Sequence, residues 1–215
     1  AYEPEPIIPR GCYVFDGYAA QRAAEGTPGT LGLASLNLNV AALYFATDAA
    51  RGGFTGFLAS DSPANPYLQA GYRKVLAGYP TAGVAAQQIG RMHATMPSTA
   101  GFTLAHGRTF TSSGLNAIRG FPGMAGGPLC VKHHATFLPA GIYVGGTDRG
   151  AVRAFDGEVV DLLTRADISS YGGENHTGGG ITHSSFTVIG TASQPGALTV
   201  LIEPAGARLA GARHH

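Results

Sequence analysis

Residues 129–137, LCVKHHATF, hold the densest set of side chains able to do chemistry in this 215-residue chain. His133 and His134 could ligate a transition metal, with Cys130 and Lys132 beside them. The segment reads as a β-strand, and adjacent strand residues point to opposite faces. On a strand the two imidazoles cannot easily reach one ion, whereas Cys130 and His134 share a face. A zinc site there needs a further ligand from another strand. The competing reading is ordinary strand histidines. A second set is Asp156, Glu158 and Asp161 in AFDGEVVDLL. On a strand, Asp156 and Glu158 share a face and could act as an acid/base pair or bind Ca²⁺. The alternative is a charged loop around Gly157, partnered by Arg149, Arg153 and Arg165. In an assembly the same charges would form intersubunit salt bridges or a shared cation site.

Other catalytic patterns are missing from the sequence. No G-x-S-x-G is present, so there is no nucleophile elbow. Cys130 has apolar neighbours, which favour an inert thiol over a nucleophile. Cys12 and Cys130 lie far apart without a CxxC partner and read as two reduced thiols, with a single disulfide as the alternative. The Gly-rich stretches 123–127 and 178–180 do not end in Gly-Lys-Ser/Thr, so neither is a phosphate cradle. Asn175-His176-Thr177 matches the N-glycosylation sequon, with no secretion signal to support it.

The elements that must position these residues read as short strands. The clearest lies at 185–204, SFTVIGTASQPGALTVLIEP. There a β-prone run, a Gln194-Pro195-Gly196 turn and an alternating Leu198, Val200, Ile202 face form a closing hairpin. Further strands are expected at 12–18, 36–46, 54–58, 102–111, 129–137 and 142–144. The last two are separated by a turn at Pro139-Ala140-Gly141. Residues 19–25 read as one or two helical turns, and 151–163 as a strand running into a short helix. Residues 82–96 fit either state. Without a βαβ alternation, the chain is expected to be all-β: an antiparallel β-sandwich, with the jelly roll the commonest design at this size. Long Gly/Pro-rich loops join its strands. No composition shift divides the chain, so one domain is expected over 12–204, with an extended arm at 1–11 and a tail at 205–215.

Charged residues make up only 13% of the chain, about half the usual share. Soluble monomers rely on surface charge, so part of this surface is expected to be covered by partner subunits. A Ser/Thr/Gly-rich surface is the other explanation. The 14 basic residues are Arg apart from Lys74 and Lys132, and Arg suits interface pairing. A GC-rich genome accounts for the bias equally well. With a net charge of +1 and no basic run, strong nucleic-acid binding is not supported. No window is long and apolar enough for a transmembrane helix. The opening AYEPEPIIPRG lacks the basic start and apolar core of a signal peptide and reads as an extended strap. Removal of an initiator Met before Ala1 would make the chain nearly complete.

The Pro-rich arm, the many short strands, the long Gly/Pro loops and the closing FTVIGTASQPGALTVLIE hairpin together resemble a single jelly-roll coat protein of a small icosahedral virus. The arm is acidic where many such coats carry a basic, RNA-binding one; in lacking a basic arm the chain is similar to the tymoviruses. The resemblance implies a non-enzymatic virion protein that self-assembles into an icosahedral capsid shell. Its partners would be identical subunits, with encapsidated nucleic acid held by weak contacts and no membrane. Pro4, Pro6, Ile7, Ile8 and Arg10 of the arm would make the subunit contacts, and no cofactor is expected. The alternatives are a phage decoration or fibre protein, a lectin-like sandwich using Tyr67, Tyr72, Tyr79 and Tyr171 on sugars, and a cupin-like metalloenzyme built on His133 or His134. The absence of Trp counts against the lectin.

Overall fold

The computed structural model describes residues 9–25, 32–45, 55–112, 117–145, 150–172 and 176–185. The expected closing hairpin, arm residues Pro4, Pro6, Ile7 and Ile8, and the tail lie outside them. The described chain is mostly β, in two antiparallel sheets of three and seven strands with few helices. It falls into two compact units. Of the described residues, the smaller takes in those within 9–14, 41–45 and 162–185, and the larger those within 15–40 and 55–161.

The smaller unit holds a sheet of order β10-β1-β2, from strands β1 (Pro9–Phe15), β2 (Ala41–Phe45) and β10 (Ile181–Ser185). β1 thus takes in residues 9–11, which the sequence assigns to the arm. β1 and β2 are antiparallel, with Gly11 opposite Tyr44 and a register slip between Pro9 and Gly11.

The larger unit holds a sheet of order β4-β3-β7-β8-β9-β6-β5. Its strands are β3 (Lys74–Gly78), β4 (His93–Ala94), β5 (Thr103–His106), β6 (Thr109–Ser112), β7 (Pro128–His133), β8 (Thr136–Gly145) and β9 (Gly150–Ala154). β7, β8 and β9 follow one another as antiparallel neighbours, and β6 returns beside β9. That is a Greek-key connection. One face carries the core, with Leu68, Leu76, Phe110, Leu129, Val131 and Val152 among its members. At β9 the opposite face is buried too, where Ala151 meets Leu36 and Val144.

Helix α1 (Tyr18–Glu25) confirms the helical reading at 19–25. Helix α2 (Leu33–Leu38) corrects the expected strand at 36–46, because among its described residues only 41–45 form a strand. Six residues are too few for a self-sufficient helix, and its Gly32 N-cap offers no side chain. The Glu25 carboxylate replaces that cap, accepting from the Gly32 and Ser35 N–H groups and the Ser35 hydroxyl at 2.8–3.1 Å. Buried Leu36 then pins the helix against the sheet, contributing about 2 kcal/mol.

Further readings are corrected. The alternating run 102–111 is a hairpin, broken by Gly107 at φ +55°. A side chain at Gly107 would also strike Asn37, 2.7 Å from its Cβ position. The strand at 129–137 turns back at His134-Ala135, and β8 then runs straight through Pro139-Ala140-Gly141. Pro139 is tolerated mid-strand because it sits where the β7–β8 register slips and no ladder N–H is required. The ambiguous stretch 82–96 is neither state throughout: it contains a 3₁₀ turn at Ala86–Gln88 and the two-residue β4. The strand-then-helix reading at 151–163 holds, as β9 followed by helix α3 (Gly157–Gly172). The short strand expected at 54–58 is irregular over its described residues.

Candidate functional site

The hairpin turn brings His133 and His134 together rather than separating them. His133 pairs with Thr136 at the end of the ladder, and His134 occupies the turn at φ +52°. Their ring centroids lie 4.3 Å apart at 73°, and Tyr67 stands edge-on to His133 at 6.1 Å. The opposite-face argument fails because His134 is not on a strand. The same turn removes the shared face expected of Cys130 and His134. Both cysteines are free; Cys12 is buried and Cys130 half-buried, and burial pushes both thiols up. Among the described residues, no group of three or more His, Cys, Asp or Glu side chains is placed to hold a metal ion.

Asp156 and Glu158 are not strand neighbours either. Asp156 is the N-cap of α3, its Oδ1 accepting from the Val159 N–H at 3.0 Å. Glu158 lies in the first helical turn. Both face one guanidinium, that of Arg153, which alternation on β9 directs away from Val152 and toward α2. Its Nη1 donates to Asp156 Oδ2 at 2.8 Å and to the Ala154 carbonyl at 2.6 Å. Nη2 donates to Glu158 Oε2 at 2.9 Å, and Nε to the Asn37 carbonyl at 2.9 Å. Phe15 packs its ring 5.7 Å from Arg153 Cζ. Arg108 adds a second cation, 3.6 Å from Asp156 Oδ2. The Asn37 side chain in turn accepts the Arg108 N–H at 2.7 Å. Of the three arginines named as partners from sequence, Arg153 meets both Asp156 and Glu158, and Arg149 lies outside the described residues. The planar fork explains the residue type, since an ammonium could not span these acceptors.

Lys74 carries no sequence signal, yet it is fully buried. Its Nζ donates to the carbonyls of Gln69, Tyr72 and Ala100 at 2.6, 3.0 and 3.1 Å, tying two loops to the start of β3. Burial pulls its pKa down to about 8. Chemically, Lys74 and Arg153 spend their donors on backbone carbonyls and carboxylates, which makes them scaffold groups.

The surface differs. Met92 and Met96 flank the short edge strand β4 and are 72% and 86% exposed. Tyr79 and Ile89 of the same segment are also exposed. Residues 79–97 contain one formally charged side chain, Arg91. This apolar, nearly uncharged edge lies beside the seven-stranded sheet and can bury area against a partner. Arg10, expected in subunit contact, is exposed on β1.

No protein-family profile matches this sequence, and no curated protein is significantly similar to it.

Proposed function

We propose that this chain is a structural, non-enzymatic subunit that assembles with identical copies into a closed shell of the virion type. One observation carries the reading: the exposed Met92 and Met96 edge at β4, in a segment with a single charge. Large exposed apolar side chains in contiguous surface segments favour protein–protein contact, and methionine adapts to more than one neighbour. That adaptability suits repeated contacts between copies of one chain. The low charge of the whole chain supports the same reading, as does the engagement of Lys74 and Arg153 in holding the backbone. A jelly-roll sandwich belongs to this proposal. The Greek key formed by β6 to β9 favours it, since jelly rolls are built from that motif. Individually weak contacts would gain their stability from closure of the symmetric shell.

The test is the mass and shape of the purified protein, by light scattering and negative-stain microscopy. Uniform closed particles of megadalton mass are expected, and Met92→Glu with Met96→Glu should shift the population to small species. A monodisperse monomer or trimer at every salt and pH would overturn the reading. So would particles indifferent to both substitutions.

A further inference from the structure

In the three-stranded sheet, one side chain reaches across a whole strand. Tyr44 on β2 sends its hydroxyl to His183 Nε2 on β10, a 2.7 Å hydrogen bond. Between them lies β1, the middle strand. The crossing is possible because the residue opposite Tyr44 is Gly11. A Cβ at that position would lie 2.7 Å from the Tyr44 hydroxyl, 2.9 Å from its ring and 2.6 Å from the Ser184 carbonyl. The next residue on that face of β1, Tyr13, closes the group, its ring 4.9 Å from the His183 ring and 6.3 Å from that of Tyr44. Tyr13 is itself held, accepting the His176 N–H on its hydroxyl at 3.0 Å. The His183 side chain is almost wholly out of solvent.

We propose that the Tyr44–His183 bond is a proton-sensitive clasp that keeps this sheet closed at neutral pH and releases it in acid. The clasp takes the neutral ring with its proton on Nδ1, so that Nε2 accepts from the phenol. A protonated ring has only donors, so the phenol must reverse its role while a full charge is buried beside it. Among the described residues, the titratable and charged groups around the pair are Tyr13, Cys12 and Arg10 from β1 and Tyr44 from β2. His176 stands on the segment leading into β10, and Arg165 of α3 donates to the His176 and Gly178 carbonyls at 2.9 and 2.8 Å. Burial holds the His183 ring below its ordinary value of 6.5. An opened sheet therefore binds a proton that the closed one refuses, and opening gains ground as the pH falls below about 6.5. The inference concerns the smaller unit alone and stands apart from the shell reading.

Hydrogen exchange on the full chain tests it, with rates corrected for the intrinsic pH dependence of exchange. Between pH 7.5 and 5.0, amides in 9–15, 41–45 and 181–185 should lose protection about tenfold, while those in 128–154 keep theirs. His183→Gln can still accept from Tyr44 and does not titrate, so its protection should stay flat across that range. Tyr44→Phe should lower protection about five- to tenfold already at pH 7.5, the effect of one lost hydrogen bond. Unchanged wild-type protection in acid would overturn the clasp, as would an acid loss that persists in His183→Gln. Should that variant not fold, Tyr44→Phe decides: full protection at pH 7.5 shows that the bond does not hold the sheet.

Discussion

Arg153 offers a stability experiment with its own internal control. The guanidinium meets two carboxylates at nearly equal distance, 2.8 Å to Asp156 and 2.9 Å to Glu158. Their surroundings are opposite: Asp156 is 1% exposed and Glu158 68%. Coulomb attraction at equal distance scales with the local screening, so the two pairs should differ severalfold. Arg153→Ala leaves the buried Asp156 carboxylate with Arg108 alone, at 3.6 Å, and takes a donor from the Asn37 and Ala154 carbonyls, at a cost of about 3–5 kcal/mol. For a chain of this length that is roughly a 6–20 °C fall in Tm. Asp156→Asn keeps an N-cap oxygen for the Val159 N–H but removes the charge, and should cost about 2–4 kcal/mol. Glu158→Gln should cost no more than about 1 kcal/mol. Urea unfolding followed by circular dichroism measures all three, as the chain has no Trp to report by fluorescence. Equal costs for the Asp156 and Glu158 variants would refute the reasoning, as would an Arg153→Ala variant within 1 kcal/mol of wild type.

Lys74→Met should destabilise the larger unit by several kcal/mol, since three carbonyls lose a donor. Because burial lowers the folded pKa to about 8 from 10.5, the unfolded chain binds the extra proton between those values. The stability of wild type relative to Lys74→Met should therefore rise from pH 8 toward 10.5; a flat difference would sink that assignment. Glu25 titrates in the opposite range. Its partial burial works against ionisation, but hydrogen bonds from the Gly32 N–H, the Ser35 hydroxyl, Arg22 and the Ser35 N–H outweigh it and hold the pKa to about 2. Its contribution is complete above about 4.5 and is lost as the pH falls toward 2. Amide protection in α2 should fade over that window in wild type and be absent at pH 7 in Glu25→Ala. Gly11→Ala should disrupt the β10-β1-β2 sheet at every pH, read as lost exchange protection in 41–45 and 181–185.

What the sequence revealed depended on whether the signal was local. β1, α1 and α3 were legible because each carries its own pattern within a few residues. α2 was not: Leu36, Leu38 and Val40 alternate as a strand does, and the group that makes the segment helical is a carboxylate at position 25. Alternation over 102–111 was also real, but it belongs to both arms of a hairpin, and only Gly107 betrays the turn. At 133–134 the turn lacks the usual Gly or Asn, since His134 takes the left-handed position itself. The β-strand reading there was reasonable for each residue and wrong for the pair. Arg153 could be named as a partner for Asp156 because they lie three residues apart. Lys74 could not, because its acceptors are carbonyls, which every residue has.

The order of the larger sheet has a consequence for how the chain emerges from a ribosome. Its middle strands, β7 to β9, are made last, and β3 to β6, which flank them, are made first. Between Gly78 and Pro128 the ribosome adds residues for on the order of several seconds. β3 is complete throughout that interval and β6 from Ser112 onward, while β7 and β9, with which they pair, do not yet exist. Their apolar faces and unpaired edges must wait, shielded only by the short hairpin partners β4 and β5. Yield in a cell should then depend on elongation rate and on chaperone occupancy of residues 74–112, quite apart from the stability of the finished fold.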